Sequence, residues 1–528
     1  MLTNWPQSAL VGRAHLGRGW TFWEEATNSV GSALPAFAAA VAALPRSADQ
    51  AVARFKLADS QFLVREFPAA VSNYWMVATN YVGVPGLTNS LFSQALYQVV
   101  RAGIETGDLE GASNALNRLA TTESQGPLTE RASLLLGQAL TRRGNAEAAR
   151  ALFADFGARF TNSILLPEVR LAAAQTYERE QDWPRAIQSY SNWLAQYGPV
   201  TNLPPDLVAR ARFELARLTF RTAPGTNALT LLTDFVARHP TSPDAPLAKY
   251  LMAEQAYNEG DYARAELLFQ DRLLSPNAAA LSSGVAFHAR LMAGRAAIAL
   301  RSFRSAREHF DWVITNGPLS VANSPIPTNV AAEAYLLRGD TFILEDGEAR
   351  TNTLERFGEA IVAFSKITEQ FPNSDLAPAA WGRIGDCHFT LAAQDPKRFD
   401  RAAEAFRKVI ESNAGVALRS QAEVKLATTL EKQAALKPPA EQAAQLDQAL
   451  GHYLRVLYGQ NLRPGELADP HWVKRAGLAA AELAEALKRV DTAIGLYQRL
   501  LTELPALRPR MERRIAELEK ARTSGAGS

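Results

Sequence analysis

The sequence is poor in cysteine and nearly balanced in charge, and both features exclude whole classes of protein. Its 528 residues include one cysteine, Cys387, which excludes an internal disulfide framework and a zinc site built from paired cysteines. The 56 lysines and arginines against 54 aspartates and glutamates leave a formal net charge of +2, so no strong electrostatic attraction to nucleic acid or an anionic membrane follows. With 47% hydrophobic and 21% charged residues, the chain is expected to fold.

The sequence also lacks a long apolar run. The longest, residues 33–44, is about twelve residues long and contains Pro35, so it is too short to span a bilayer. No basic segment followed by an apolar segment and a small-residue cleavage site opens the chain. We therefore expect no direct membrane span.

Motifs for catalysis and cofactor binding are missing as well. The sequence has no phosphate-binding glycine loop, dinucleotide fingerprint, His-Glu-x-x-His or Gly-x-Ser-x-Gly motif. Cys387 and His388 are adjacent, but neighbouring residues on a helix do not face each other, so we interpret Cys387 as a buried structural thiol. Asp395 and Asp400 are interpreted as residues of solvated turns. We predict that the protein is not an enzyme and holds no cofactor and no metal.

One pattern recurs along the chain. A small residue, Gly12 in the first copy, is followed by an alanine in the next helix, and a bulky apolar residue stands four positions beyond that alanine. Eight copies have the small residue and the alanine twelve apart, and four more fit with a longer intervening loop. The alanines are Ala33, Ala70, Ala112, Ala149, Ala186, Ala228, Ala265, Ala306, Ala360, Ala402, Ala449 and Ala493. The bulky residues are Phe37, Tyr74, Leu116, Phe153, Tyr190, Leu232, Phe269, Phe310, Phe364, Phe406, Tyr453 and Tyr497.

This pattern predicts two helices in each copy. Apolar residues recur three and four apart, which is typical of one face of a helix, and strand-like alternation is absent. The small residue and the alanine let two helices approach closely, while the bulky residue fills the space toward the next copy. Prolines such as Pro240 and Pro372 stand between copies, where a helix must end. The sequence thus predicts an all-α solenoid of about twelve helix-turn-helix units.

The pattern resembles the tetratricopeptide repeat. Trp381, Ile384 and Gly385 match the first-helix signature of that family, although the family's usual tyrosine is replaced near Phe389. Residues 239–262 and 371–380 share a phrase that resembles the bacterial cell-envelope branch, which includes outer-membrane assembly lipoproteins and the Tol-Pal coordinating protein. Unit lengths here exceed the family period of about 34 residues. The resemblance implies a right-handed superhelical solenoid.

The pattern and its interruptions predict the organisation of the chain. Residues 1–506 are predicted to form the solenoid, 507–522 a polar capping helix and 523–528 a disordered tail. Long loops are predicted near 317–329, 344–358 and 438–446. These loops are either purely structural connections or sites of contact with a partner.

The start of the chain has no polar capping helix, and Trp20, Phe22 and Trp23 are predicted to lie in an uncovered loop. Terminal repeats need a polar outer face. Either a longer natural protein has lost its beginning, or the first helix packs on a loop or another copy. If the lost part includes a signal peptide, we expect the protein in the periplasm or cell envelope. Otherwise we expect it in the cytoplasm.

The candidate binding residues follow the small residue of each copy. That position is polar in nine successive copies: Asp59, Arg101, Gln138, Gln175, Arg217, Glu254, Arg295, Asp340 and Asp386. The resemblance implies that this position faces a concave groove; the alternative is a solvated helix face. Tyr250 and Tyr257 either add an aromatic contact to the groove or belong to the core between copies.

These observations predict a non-catalytic scaffold that binds a peptide or helix of a protein partner in the groove. The resemblance places it in cell-envelope assembly or transport. One alternative is an accessory helical arm of a larger enzyme whose N-terminal part is missing. The other is a helical-repeat nucleic-acid binder, against which the near-neutral charge and the irregular unit length argue, so we expect no nucleic acid partner.

Overall fold

The protein is all-helical. The computed structural model describes residues 3, 5–25, 30–200, 202–270, 283–316, 328–345, 353–503 and 508–525. Those residues form 25 α-helices and no strand, which confirms the predicted fold class. The chain divides into two compact parts, Met1–Ala248 (the N-terminal part) and Lys249–Ser528 (the C-terminal part).

The helices follow one another as successive pairs joined by short turns. The N-terminal part contains α1 (Val11–Glu24), α2 (Val30–Ala43), α3 (Ala48–Leu63), α4 (Phe67–Asn80), α5 (Asn89–Thr106), α6 (Leu109–Thr122), α7 (Pro127–Arg142), α8 (Ala146–Arg159), α9 (Leu166–Arg179), α10 (Trp183–Tyr197), α11 (Pro205–Thr222) and α12 (Thr226–Arg238). The odd-numbered helices are the first helices of their pairs.

The same alternation continues after α13 (Ala245–Asn258), which contains the boundary between the two parts. The C-terminal part continues with α14 (Tyr262–Gln270), α15 (Ser283–Ala299), α16 (Phe303–Asn316), α17 (Thr328–Leu344), α18 (Thr353–Gln370), α19 (Ala377–Leu391), α20 (Arg398–Glu411), α21 (Val416–Ala434), α22 (Pro439–Leu457), α23 (Pro470–Ala486), α24 (Val490–Glu503) and α25 (Arg508–Gly525). Twelve pairs and one further helix are therefore described.

Packing within each part is between neighbours in sequence. In the N-terminal part each helix contacts the next, and α7 also contacts the first helices on either side, α5 and α9. In the C-terminal part α21 likewise contacts α19 and α23. This is the arrangement of a helical repeat protein, in which each unit buries its apolar face only against adjacent units.

The core consists of the residues that the repeat pattern predicts. All twelve alanines are at most 1% exposed, and all twelve bulky residues are at most 6% exposed. A Cβ atom added to Gly137 would lie 2.2 Å from Cε1 of Phe153, and one added to Gly294 would lie 2.4 Å from Cε1 of Phe310. The small residue is therefore required because the ring of the second helix lies directly on the first.

In the first copy, the small residue that lies against the bulky residue is Gly19, so the prediction of Gly12 is wrong. A Cβ atom on Gly19 would lie 2.5 Å from Phe37, whereas one on Gly12 would lie 2.7 Å from Leu44. Because α1 continues to Glu24, its close approach to Phe37 is near its C-terminal end. The prediction assumed a long loop between Gly12 and Ala33, whereas α1 is longer and its small residue stands later in the helix.

The aromatic residues near the start are also placed differently from the prediction. Trp20, Phe22 and Trp23 lie in α1 rather than in a loop. The rings of Trp20 and Trp23 meet Phe37 edge-on, with centroids 6.1 and 6.3 Å apart. The Lys56 ammonium lies 4.6 Å from the Trp23 ring centroid. Residues of α2 and α3 thus cover these rings.

The predicted loops were too long. Residues 439–446, expected in a loop, belong to α22, which starts at a proline because the first helical turn needs no N–H donor there. Residues 353–358 belong to α18, and 346–352 lie outside the described residues. Of 317–329, only 328–329 are described, as part of α17. Residues 523–525, expected to be disordered, extend α25, and 526–528 lie outside the described residues.

Candidate functional site

The nine polar residues that follow the small residues form what we call the first-helix face. In the N-terminal part they are Asp59 of α3, Arg101 of α5, Gln138 of α7, Gln175 of α9 and Arg217 of α11. In the C-terminal part they are Glu254 of α13, Arg295 of α15, Asp340 of α17 and Asp386 of α19. All nine are half-buried, so they belong neither to a fully solvated face nor to the core.

Several of these residues of the N-terminal part are held by partners inside the protein. Arg217 donates from Nε to Glu214 at 2.7 Å, and its guanidinium also pairs with Glu178 of α9, in the preceding pair. Gln138 donates to a carboxylate oxygen of Glu168 at 3.4 Å, which links α7 to α9.

Asp59 and Arg101 have more local partners. Asp59 accepts a hydrogen bond from the Tyr74 hydroxyl at 2.6 Å and forms an ion pair with Lys56 at 2.9 Å. The Arg101 guanidinium stacks on the Phe62 ring, 4.9 Å from its centroid. The Tyr74 hydroxyl is buried and faces Asp59, and both effects raise the pKa of Tyr74.

In the C-terminal part the first-helix face is a series of ion pairs between neighbouring first helices. Arg295 of α15 pairs with Glu333 of α17. Asp340 of α17 pairs with Arg383 of α19 at 2.8 Å, and Asp386 of α19 pairs with Lys425 of α21 at 2.6 Å. The partners stand 38, 43 and 39 residues apart, about one repeat, and that complementary spacing was the sequence signal that could have identified them.

Burial shifts the acid–base behaviour of the acidic side chains on this face. It raises the pKa of Asp340 above its ordinary value, and the adjacent Arg383 offsets only part of that effect. Burial likewise raises the pKa of Glu254, which makes no ion pair among the described residues.

Tyr250 and Tyr257 lie against the core. The Tyr250 ring is 5.6 Å from Phe269, and the Tyr257 ring is 5.2 Å from Tyr262, both measured between centroids. Both tyrosines pack on a buried cluster formed by α13, α14 and α15. Burial, together with the nearby Glu254, raises the pKa of Tyr250 to about 12. The geometry favours the core interpretation over an aromatic groove contact.

The first helices α7, α9 and α11 enclose a cavity of about 650 Å³, which we call the arginine cavity. Its lining brings together two predicted residues, Gln138 and Gln175, with the two carboxylates that hold Arg217. The remaining side chains are Thr141, Arg142, Ala172, Arg179, Gln181, Trp183, Arg210 and Arg221. Asp59 and Arg101 do not line it. Arg142, Arg179 and Arg221 each stand five residues after the small residue of their copies, a recurrence that sequence analysis did not use; Arg210 follows no such position.

The C-terminal part has a second cavity of about 840 Å³ on its first-helix face. Arg295, Glu333 and Leu336 line one side, and residues 370–376 line the other. Those residues include the beginning of the envelope-like phrase, from Phe371 to Leu376. The two charged residues on the helix side pair with each other, which leaves the exposed Asp375 as the unpaired charge of the lining among the described residues.

The adjacent Cys387 and His388 are both buried. Burial and the neighbouring Asp386 raise the pKa of the Cys387 thiol to about 12, so the thiol is protonated at neutral pH. Burial lowers the pKa of His388 to about 4, with Arg398 and Arg401 adding to the shift. Among the described residues, no three His, Cys, Asp or Glu side chains are grouped closely enough to hold a metal ion. Within the same ranges, every helix is too short or too polar to cross a bilayer.

Comparison with known proteins finds a family match for two segments of the chain. Residues 100–159 and 353–417 match the tetratricopeptide repeat family model. No curated protein matches the chain. Matching solved structures include a tetratricopeptide repeat protein from Parabacteroides merdae, 15% identical, with 55% of this chain and 96% of that chain covered and a TM-score of 0.34.

Two further solved structures are similar at the same level. The C-terminal part of a repeat-containing protein from Cytophaga hutchinsonii is 14% identical over 53% of this chain and 95% of that chain, with a TM-score of 0.41. The apo form of RapI is 9% identical over 70% of this chain and 99% of that chain, with a TM-score of 0.40. The family supports a scaffold for protein interactions and is typically non-catalytic. Two segments of the chain are therefore similar to tetratricopeptide repeats, and they lie within a series of helix pairs.

Proposed function

We propose that the protein is a non-catalytic scaffold that binds a segment of a protein partner along its first-helix face. The observation that carries the proposal is the arginine cavity, where three successive first helices leave an opening of about 650 Å³. Sites for ligands occupy about 300–1,000 Å³, so a short peptide segment or one turn of a helix fits there.

The side chains of the cavity are suited to recognition. Gln138 and Gln175 present amide groups, and Trp183 presents part of its ring. Each of these side chains is half-buried and fixed to a helix whose opposite face is core. A preformed surface of this kind binds with a small loss of conformational entropy, which favours recognition of a flexible segment.

The alternatives have less support from the described residues. A base-by-base nucleic-acid reader needs one equivalent contact in every unit. The first-helix face instead carries acids, amides and bases in turn, and three of its four residues in the C-terminal part are held in ion pairs. A role in cell-envelope assembly stays a prediction that rests on the phrase at residues 239–262 and 371–380.

Photocrosslinking in the source cells tests the proposal. Benzoylphenylalanine replaces Gln175 on α9, and in the control it replaces Gln188, an exposed residue of the second helix α10. We expect crosslinks to one defined protein segment from position 175, mapped by mass spectrometry, and none of that segment from position 188. Equal capture from both positions, or capture from position 188 alone, would contradict binding on the first-helix face.

A further inference from the structure

The arginine cavity carries positive charge that no ion pair neutralises among the described residues. Arg142, Arg179, Arg210 and Arg221 line it, and all four are exposed. Among the described residues, none of the four makes an ion pair or a side-chain hydrogen bond with another residue. Elsewhere on the first helices, bases such as Lys425 and Arg383 are paired. Arg131 and Arg475 on other parts of the first helices also make no ion pair among the described residues, so what distinguishes the arginine cavity is that four such arginines line one space.

The acids of the cavity do not neutralise these arginines. Glu178 and Glu214 are the carboxylates in its lining, and both are bound to Arg217. Burial raises the pKa of Glu214, and Arg217 beside it acts in the opposite direction. Because two carboxylates share one arginine, an anion that enters meets four guanidinium groups against one carboxylate charge that Arg217 leaves unneutralised.

Helix ends explain only part of the arrangement. Arg142, Arg179 and Arg221 lie in the last turns of α7, α9 and α11, where a positive charge interacts favourably with the helix dipole. These three stand at the same position of successive copies, so the stacking of the repeats brings them side by side. Arg210 lies in the second turn of α11 and gains nothing from the dipole, yet it lines the same cavity.

Trp183 gives the cavity an apolar surface. It is half-buried at the start of α10, and the Arg221 guanidinium lies 4.3 Å from its ring centroid. Stacking on the ring holds this guanidinium in place while its N–H groups remain available to a carboxylate. A ligand with an apolar group next to acidic groups therefore matches the lining.

We infer that the arginine cavity binds an acidic segment of a protein partner, with aspartate or glutamate side chains on Arg142, Arg179 and Arg210 and an apolar side chain against Trp183. The inference rests on the proposed function and specifies the chemistry of the partner. Guanidinium groups bind carboxylates through two parallel hydrogen bonds, so a planar acid is a better ligand than a diffuse anion. A nucleic acid is less suited, because the positive charge is confined to one cavity and does not follow a long track.

The test is a binding titration with the full chain. The probe is a fluorescein-labelled peptide with a run of alternating glutamate and leucine and an amidated C-terminus; a matched peptide has glutamine in place of glutamate. The test variant is Arg179→Glu/Arg210→Glu. The control variant is Arg264→Glu/Arg407→Glu, which makes the same change in net charge on exposed arginines of the second helices α14 and α20. Circular dichroism melting checks that both variants remain folded.

We expect the acidic peptide to bind the parent chain and the control variant equally, and to bind the test variant at least about tenfold more weakly. Binding should also weaken as salt rises from about 50 to 300 mM, because exposed charges are screened. The inference is overturned by equal loss in both variants, by equal binding of the glutamine peptide, or by a need for a free C-terminal carboxylate. Tighter binding of single-stranded RNA, lost in the same test variant, would also overturn it.

Failure of this inference differs from failure of the proposed function. If crosslinks from position 175 capture a defined segment that is not acidic, the scaffold proposal holds and the assigned chemistry is wrong. If positions 175 and 188 capture the same proteins, the partner does not bind specifically on the first-helix face, and the proposed function is wrong.

Discussion

At the scale of single residues, the fold depends on contacts between a glycine on one helix and an aromatic ring on the next. Gly137 and Phe153 are the clearest example, because the ring of Phe153 is 4% exposed and its edge occupies the place of a Cβ atom. The ring cannot move outward without opening the core between neighbouring pairs.

Replacing Gly137 with alanine is therefore expected to destabilise the protein. The helix propensity of alanine contributes about 0.5–1 kcal/mol in favour of the variant, but overpacking against Phe153 costs about 1–3 kcal/mol. The midpoint of urea unfolding should fall. In Gly157→Ala, on α8, the added Cβ atom meets only Leu166 at 3.9 Å, so its midpoint should rise or stay unchanged. A stable Gly137→Ala protein would show that the close approach is not required.

His388 makes stability depend on pH. Burial and the nearby Arg398 and Arg401 hold its pKa at about 4, against an ordinary value of 6.5. As the pH falls from 6.5 toward 4, the unfolded chain takes up the proton first, so this histidine makes folding progressively less favourable over that range.

A nuclear magnetic resonance titration of the histidine side chains tests this shift, with His388→Gln used to assign the signal. We expect the His388 resonance to keep its neutral position at pH 5. Half-protonation near pH 6.5 would mean that the imidazole is not desolvated as described.

At the scale of helices, ion pairs join neighbouring first helices at intervals of about one repeat. The Asp386–Lys425 pair connects α19 to α21, and both side chains are 31% exposed. Exposed pairs of this kind contribute little to stability, typically about 0.2–1 kcal/mol. Their role is to set which residues of adjacent pairs face each other, because like charges at those positions would repel.

A charge exchange tests whether the pair interacts directly. Asp386→Lys and Lys425→Asp should each lower the unfolding midpoint, since each substitution places two like charges in contact with each other. The double variant should recover most of the loss, and the coupling free energy should be about 0.5–1 kcal/mol. The corresponding cycle at the solvated pair Arg304–Glu308 provides the comparison. Additive effects at Asp386 and Lys425 would show that the contact has no energetic role.

The sequence predicted the buried elements better than the polar ones. Alanines such as Ala149 and rings such as Phe153 follow from helical periodicity, which a single helix pair dictates by itself. The recurrence of Arg142, Arg179 and Arg221 at one position of three copies could have been read from the sequence, but the opening beside them depends on how three pairs are stacked. The error at Gly12 has a similar cause. A long helix with a short loop and a short helix with a long loop fit the same sequence spacing, and only the packing of the two helices distinguishes them. The loop predicted at 438–446 failed because Pro439 suits the first turn of a helix.

At the scale of the whole molecule, we expect different groups of helix pairs to unfold at different denaturant concentrations and not in one cooperative step. Each helix pair is stabilised by its neighbours, so distant pairs are coupled only through those between them. The N-terminal part contains six of the nine tryptophans, at positions 5, 20, 23, 75, 183 and 193, and the C-terminal part contains Trp312, Trp381 and Trp472.

Unfolding followed by two probes tests this distribution. We expect tryptophan fluorescence and circular dichroism to give different midpoints in urea, with Gly137→Ala moving the fluorescence transition more. Variants with substitutions in the C-terminal part, such as Gly339→Ala against Phe364, should move mainly the circular dichroism transition. A single coincident transition that both variants shift equally would contradict local stability.

The central claim, that the first-helix face of the scaffold binds a partner segment, is tested most directly by hydrogen exchange of the full chain with and without the segment captured at position 175. When the segment is bound, we predict slower exchange in α7, α9 and α11 and at the start of α10, where Trp183 lines the cavity, and unchanged exchange in α8 and α12. Protection confined to those second helices would contradict the claim.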